Sequence, residues 1–92
     1  MPWDDRWGSK ADYQIDESMT EYEGFKVGDR VRFTKDGDED SGDFWFAGDE
    51  GEVVGFAPLT FTNHPSRTEI IVAGDDGNDP YGVKNPRHIR AA

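Results

Sequence analysis

Residues 27–33 read VGDRVRF, and this stretch decides the fold class because apolar and polar side chains alternate along it. Val27, Val31 and Phe33 supply the apolar positions, and Arg30 and Arg32 supply polar positions. A period of two residues places alternate side chains on opposite faces of a sheet. The stretch therefore predicts a strand that turns its apolar face toward a core and leaves both arginines exposed.

Further strands are predicted downstream, each bounded by turn or breaker residues. The apolar runs are EVVGFA at 52–57, TEIIVA at 68–73 and YGVK at 81–84. Between them, LTFTNHPSR at 59–67 is predicted to be a loop and GDDGNDP at 74–80 a tight turn. NPRH at 85–88 ends the last run, since proline cannot continue a ladder, and a final short strand follows. The predicted core consists of Val27, Val31, Phe33, Val53, Phe56, Ile70, Val72, Tyr81, Val83 and Ile89.

The longest predicted connection is acidic. Residues 36–50 read DGDEDSGDFWFAGDE, with seven acidic side chains, no basic one, and a central aromatic trio. In an extended segment Phe44 and Phe46 share one face and Trp45 takes the other. Either the two phenylalanines plug the open end of the core while Trp45 covers its rim, or Trp45 belongs to an exposed binding surface.

The two opening strands resemble those of KOW-type and related Src-homology-3-like (SH3-like) modules. Such modules often show Gly-Asp-x-Val-x-Val and then Gly-x-x-Gly-x-Val, and this chain has VGDRVRF at 27–33 and GDEGEVVGF at 48–56. The resemblance implies an all-β fold, a small five-stranded SH3-like barrel with a long acidic first loop. KOW-type modules commonly bind RNA or ribosome-associated proteins. They join these strands by a short segment, and the acidic insertion departs from that pattern.

Residues 1–24 lack strand alternation and are predicted to form an acidic tail ahead of the barrel at 25–92. Ile15, Met19 and Tyr22 are spaced at i, i+4 and i+7, so the tail is either flexible or contains a short helix at 13–22. Trp3 and Trp7 in this tail need burial, either on the barrel or on a partner.

Composition limits the classes of function. Twenty acidic and ten basic residues give a net charge of −10 in 92 residues, which repels phosphate backbones and favours basic partners. Direct nucleic-acid binding is therefore not expected. The chain has no cysteine, signal-peptide core or apolar membrane span, which predicts a soluble, cytoplasmic protein without membrane contact.

No catalytic, metal or cofactor site is predicted. Asp36, Asp38 and Asp40 have the spacing of a calcium loop, but serine and alanine stand where that loop needs glycine and a bidentate glutamate. His64 and His88 are accompanied by no nucleophile elbow or oxyanion loop.

The leading hypothesis is a non-catalytic protein-interaction module that binds a basic protein partner through an acidic-aromatic surface. Its candidate contact residues are Asp38, Glu39, Asp40, Asp43, Trp45, Trp3 and Trp7. One alternative is an acidic mimic of nucleic acid, as in small phage proteins, that inhibits a DNA- or RNA-handling protein. Another is a KOW-like RNA- or DNA-binding module. Its basic residues would be Arg30, Arg32, Lys84, Arg87, His88 and Arg90, which could instead pair with acids of the same molecule.

Overall fold

Short strands and single turns of 3₁₀ helix make up a computed structural model that describes residues 3–58 and 68–92. The predicted loop at 59–67, with His64, lies outside the described residues. Within them no helix exceeds four residues, so the all-β prediction is confirmed. The strands are β1 Glu21–Tyr22, β2 Phe25–Lys26, β3 Arg30–Phe33, β4 Glu50–Pro58, β5 Thr68–Gly74, β6 Tyr81–Val83 and β7 Ile89–Ala91, and the 3₁₀ helices are Asp5–Trp7, Lys10–Tyr13, Glu39–Ser41 and Pro86–His88.

Five of these strands form one antiparallel sheet in the order β6-β5-β4-β3-β7. The three apolar runs and the short final strand all form strands close to the predicted positions, as β4, β5, β6 and β7. In the described part of the chain β6 and β7 are the two edges, and strand pairing does not close the sheet into a barrel. Strands β1 and β2 form a separate hairpin, which the sequence pattern did not predict.

The first sheet strand begins later than expected, and this corrects one core residue. Val27 is 50% exposed and lies in a turn before β3. The Lys26 amide donates to the Asp29 carboxylate, and Gly28 adopts a φ of +98° inside this turn. A positive φ suits glycine and reverses the chain, so the alternating pattern starts only at Arg30.

One face of the sheet carries the main core. Val31 and Phe33 of β3 are buried there, and the side chain of Tyr81 packs against the cluster from β6. The full set of buried residues is Val31, Phe33, Trp45, Val53, Phe56, Ile70, Val72, Val83 and Ile89. Apart from Val27 and the partly buried Tyr81, the predicted core is therefore buried as expected.

The other face of the sheet is covered by the N-terminal segment. A register shift between Val53 and Gly55 gives β4 an extra residue and places Val54 on this second face. Gly55 leaves room for Ile15, because a Cβ on this glycine would lie only 2.9 Å from the Ile15 Cγ2 atom. The Asp16 amide also donates to the Phe56 carbonyl at 2.9 Å. The N-terminal segment therefore packs on β4 at this register shift, a β-bulge.

The short helix at 13–22, one of the two alternatives for the tail, does not form: Tyr13 ends a 3₁₀ turn and residues 21–22 form β1. Ile15 packs on the second face, whereas Met19 and Tyr22 pack against the main core. The three residues at i, i+4 and i+7 therefore do not form one apolar face.

The two tail tryptophans pack on the second face of the sheet. Trp3 and Trp7 lie edge to face with ring centroids 5.0 Å apart, and Trp3 makes a second edge contact with Tyr13 at 5.3 Å. The Trp3 indole N–H donates to the Gly8 carbonyl at 2.9 Å. A capping box between Ser9 and Asp12 fixes the following 3₁₀ turn.

Candidate functional site

A buried tryptophan anchors the acidic loop, defined here as residues 36–50. Trp45 is only 2% exposed. Its ring stacks on Phe33 with centroids 4.7 Å apart and meets Tyr81 edge to face at 5.5 Å. The indole N–H donates to the Lys35 carbonyl at 3.0 Å. Trp45 thus packs between β3 and the edge strand β6.

This arrangement reverses the predicted orientation of the aromatic trio. Phe44 is 59% exposed and Phe46 is 62% exposed, so neither plugs the core. The burial itself alternates as predicted, since the buried Trp45 lies between two exposed phenylalanines. Trp45 is the inward member because its ring stacks on Phe33 and its single polar atom reaches a carbonyl. It is therefore a structural anchor, and the exposed aromatic positions of this loop are the phenylalanines.

Hydrogen bonds within the loop hold its backbone in a defined course. The Asp36 carboxylate accepts from the Ala47 amide at 2.8 Å, and the Gly37 amide donates to the Trp45 carbonyl at 2.9 Å. The Asp38 carboxylate caps the 3₁₀ turn Glu39–Ser41 by accepting from the Asp40 amide at 3.0 Å. Several acidic side chains therefore act as turn acceptors as well as surface charges.

Of the predicted contact residues on the loop, Asp38, Glu39 and Asp40 are exposed at the 3₁₀ turn. Asp43 is partly buried, and burial raises the pKa of its carboxyl group. Positive charge on Lys84 acts in the opposite direction. The structure therefore brings the loop carboxylates together, whereas Trp3 and Trp7 lie apart from them on the second face of the sheet.

Two grooves flank Tyr81, a residue that the sequence pattern assigned only to the core. One is lined by Phe44 of the acidic loop, by the turn from Gly77 to Pro80, and by Tyr81. The other is a cavity of about 240 Å³ whose lining residues are Phe33, Asp49, Glu50, Gly74, Asp75, Asp76 and Tyr81. We call this pair the Tyr81 grooves. Sequence reasoning missed them because they join residues 42–50 to residues 74–81.

Tyr81 is held in place by the acidic turn. Its hydroxyl donates to one oxygen of the Asp76 carboxylate at 2.8 Å. The other oxygen of that carboxylate accepts from the backbone N–H of Asn78 at 3.0 Å. Burial raises the pKa of the Tyr81 hydroxyl, and the hydrogen bond to Asp76 raises it further. The neutral tyrosine ring therefore presents a fixed aromatic wall between the two grooves.

The predicted basic stripe on β3 is interrupted by acids. The Arg30 guanidinium donates to both Asp75 carboxylate oxygens, at 2.9 and 2.5 Å. The Arg32 guanidinium donates to Glu50 at 3.0 Å. The hydrogen bond from Arg30 lowers the pKa of the Asp75 carboxyl. The intramolecular pairing considered from the sequence is thus present for both β3 arginines, and Arg90 lies directly opposite Arg32 on β7.

In residues 3–58 and 68–92, no group of three or more His, Asp or Glu side chains is arranged to hold a metal ion. Over the same residues, no helix is long and apolar enough to cross a membrane. The chain matches no family model, no curated protein and no solved structure. The acidic loop and the turn at 74–80 share the Tyr81 grooves and together form an acidic-aromatic face.

Proposed function

We propose that this protein is a non-catalytic interaction module that binds a basic protein partner through its acidic-aromatic face. The observation that carries the proposal is the exposure of Phe44 and Phe46, at 59% and 62%, in a loop whose other side chains are largely carboxylates. Large aromatic side chains supply binding energy when a partner covers them. Surrounding carboxylates select a partner of opposite charge.

The exposed phenylalanines and the carboxylates have separate roles in binding. Covering one phenylalanine side chain contributes about 1.5–3 kcal/mol, before the entropic cost of association. Charges that remain near solvent mainly raise the association rate and choose the partner. The aromatic pair would therefore set how slowly the complex dissociates, while Asp38, Glu39 and Asp40 would set how fast it forms.

At the level of fold, we infer a relationship to SH3-like modules. The observed element order supports it: a strand, a long loop, three strands, a 3₁₀ turn at Pro86–His88, and a short last strand. In this proposal Trp45 fills the side of the core that strand pairing leaves open. The acidic loop then corresponds to a variable binding loop on a constant scaffold.

The test measures binding of labelled basic peptides by fluorescence anisotropy, using short sequences that combine several lysines or arginines with one aliphatic or aromatic residue. Replacing Phe44 and Phe46 together by serine should weaken binding at least tenfold, mainly through faster dissociation. Changing Asp38, Glu39 and Asp40 to their amides should slow association and flatten its salt dependence.

A matched control removes three exposed acidic charges elsewhere, by changing Asp5, Glu21 and Glu23 to their amides. This control should affect association less than the change in the loop. Equal effects of the two neutralised variants, together with no effect of the phenylalanine change, would contradict the proposal. Loss of binding only in the charge variants would instead favour the nucleic-acid mimic.

A further inference from the structure

The Tyr81 grooves carry an inference about which basic side chain the partner presents. This inference rests on the proposed function and narrows it. The cavity between the acidic loop and the turn at 74–80 is lined by the rings of Phe33 and Tyr81, by Gly74, and by four acidic residues, Asp49, Glu50, Asp75 and Asp76. The adjoining groove offers the apolar or aromatic side chains of Phe44, Pro80 and Tyr81 beside the polar Asn78 and Asp79. A ligand that fits both needs a cation and an apolar surface next to each other.

The same face already binds guanidinium groups of its own chain. Asp75 accepts two hydrogen bonds from Arg30, and Glu50 accepts one from Arg32. Both of these carboxylates also line the 240 Å³ cavity. Planar guanidinium groups suit such paired acceptors better than a lysine ammonium does, since they offer two parallel N–H donors.

Two carboxylates of this cavity form no ion pair within the described residues. Asp49 accepts a hydrogen bond from the Phe46 amide at 2.9 Å, and Asp76 accepts from Asn78 and from Tyr81. Each of these bonds comes from a neutral donor, so neither charge is compensated by it. The negative charges of Asp49 and Asp76 both help to raise the pKa of the Tyr81 hydroxyl, so both carboxylates lie near this residue.

We propose that the Tyr81 grooves bind an arginine side chain of a protein partner. Its guanidinium would lie against the Tyr81 ring and bond to the carboxylates of Asp49 and Asp76. An apolar residue next to that arginine would pack on Phe44 and Pro80. Arginine is favoured over lysine because its weakly hydrated, planar cation stacks on aromatic rings and bonds to carboxylates at the same time.

The experiment uses the full chain and three labelled peptides that differ at one central position. That position is arginine, lysine or citrulline, which has nearly the shape of arginine but no charge, and a leucine follows it in each peptide. We expect the citrulline peptide to bind at least about tenfold more weakly than the arginine peptide, since a charge-assisted hydrogen bond is lost. The lysine peptide should bind at least about threefold more weakly than the arginine peptide.

Protein variants locate the site. Asp49→Asn and Asp76→Asn keep an acceptor oxygen for the local amides but remove the charge, so the loop and turn should stay folded. Asp5→Asn is the matched control, because it removes one exposed charge outside both grooves and outside the acidic loop. Each groove variant should reduce the preference for arginine over citrulline, and the control should leave that preference unchanged.

Equal binding of the arginine and citrulline peptides, or equal effects of Asp5→Asn and Asp76→Asn, would overturn the inference. If lysine-rich peptides still bind in a manner that depends on Phe44 and Phe46, the proposed function survives that failure. If no basic peptide binds the wild-type chain, both fail. Self-association that Asp76→Asn abolishes, seen by sedimentation, would assign the grooves to basic residues of a second copy, such as Lys84, Arg87 and Arg90, and not to a different protein. That outcome would also refute the inference.

Discussion

Replacing Trp45 by alanine should destabilise the whole domain. The side chain is 2% exposed, stacks on Phe33 and contacts the edge of Tyr81. Removing a buried tryptophan costs about 3–5 kcal/mol through lost transfer free energy and the cavity that remains. A domain of this length has a total stability of about 5–14 kcal/mol, so the loss is a large fraction of it.

The conservative variant separates packing from hydrogen bonding. Trp45→Phe keeps an aromatic ring against Phe33 and loses the hydrogen bond to the Lys35 carbonyl. That carbonyl belongs to an exposed residue and can bond to water, so the lost bond should cost only about 0.5–1.5 kcal/mol, with a further cost for the smaller ring. The expected order of stability is therefore wild type, then Trp45→Phe, then Trp45→Ala.

Urea unfolding followed by far-ultraviolet circular dichroism measures this order without depending on tryptophan fluorescence. The slope of the free energy against urea should stay the same if only stability changes. A loss below about 1 kcal/mol for Trp45→Ala would mean that the ring is not a core residue, since core truncations cost more. Trp45 would then not anchor the acidic loop, and it would return to the candidates for direct partner contact.

Three further changes test other parts of the structure. Gly55→Ala should displace Ile15 and lower the free energy of unfolding by about 1–3 kcal/mol through overpacking. Adding Ile15→Ala should recover part of that loss, which a double-mutant cycle in urea can measure. Asp43→Asn should raise the melting temperature at neutral pH, because burial raises the folded-state pKa of Asp43, so its ionisation opposes folding. This gain should disappear once the pH falls below the unfolded pKa of about 3.9, and a constant gain at every pH would contradict it. The hydrogen bond from Arg30 lowers the pKa of Asp75, so this pair contributes stability above pH about 4 that is lost as the pH falls through the folded pKa. The difference in melting temperature between wild type and Asp75→Asn should therefore shrink in acid.

The main strands could be predicted from sequence because they are long enough to show a pattern. Strands β4 and β5 have nine and seven residues, and their apolar runs are bounded by proline, glycine and aspartate. The β1–β2 hairpin could not be found in this way. Each of its strands has only two residues, which is too short for any period to show.

The sequence could not show which residues of the aromatic trio are buried. Alternation states that Phe44 and Phe46 share a face, but it does not state which face is buried. That choice depends on Phe33 and Tyr81, which meet the Trp45 ring from two strands distant in sequence. The Tyr81 grooves escaped prediction for the same reason, since they exist only once the turn at 74–80 lies beside the acidic loop.

The anchoring of the acidic loop by Trp45 has a thermodynamic consequence for recognition. Fixing the backbone of one residue costs about 1–2 kcal/mol of conformational entropy. In this protein the loop's turns and its tryptophan are set in place when the domain folds. A partner that docks on the loop therefore meets a preorganised surface and does not have to order it. Under the proposed function, the same anchor would let exposed positions such as Phe44 and Asp40 be exchanged to change partner preference, while the buried Trp45 keeps the shape of the loop.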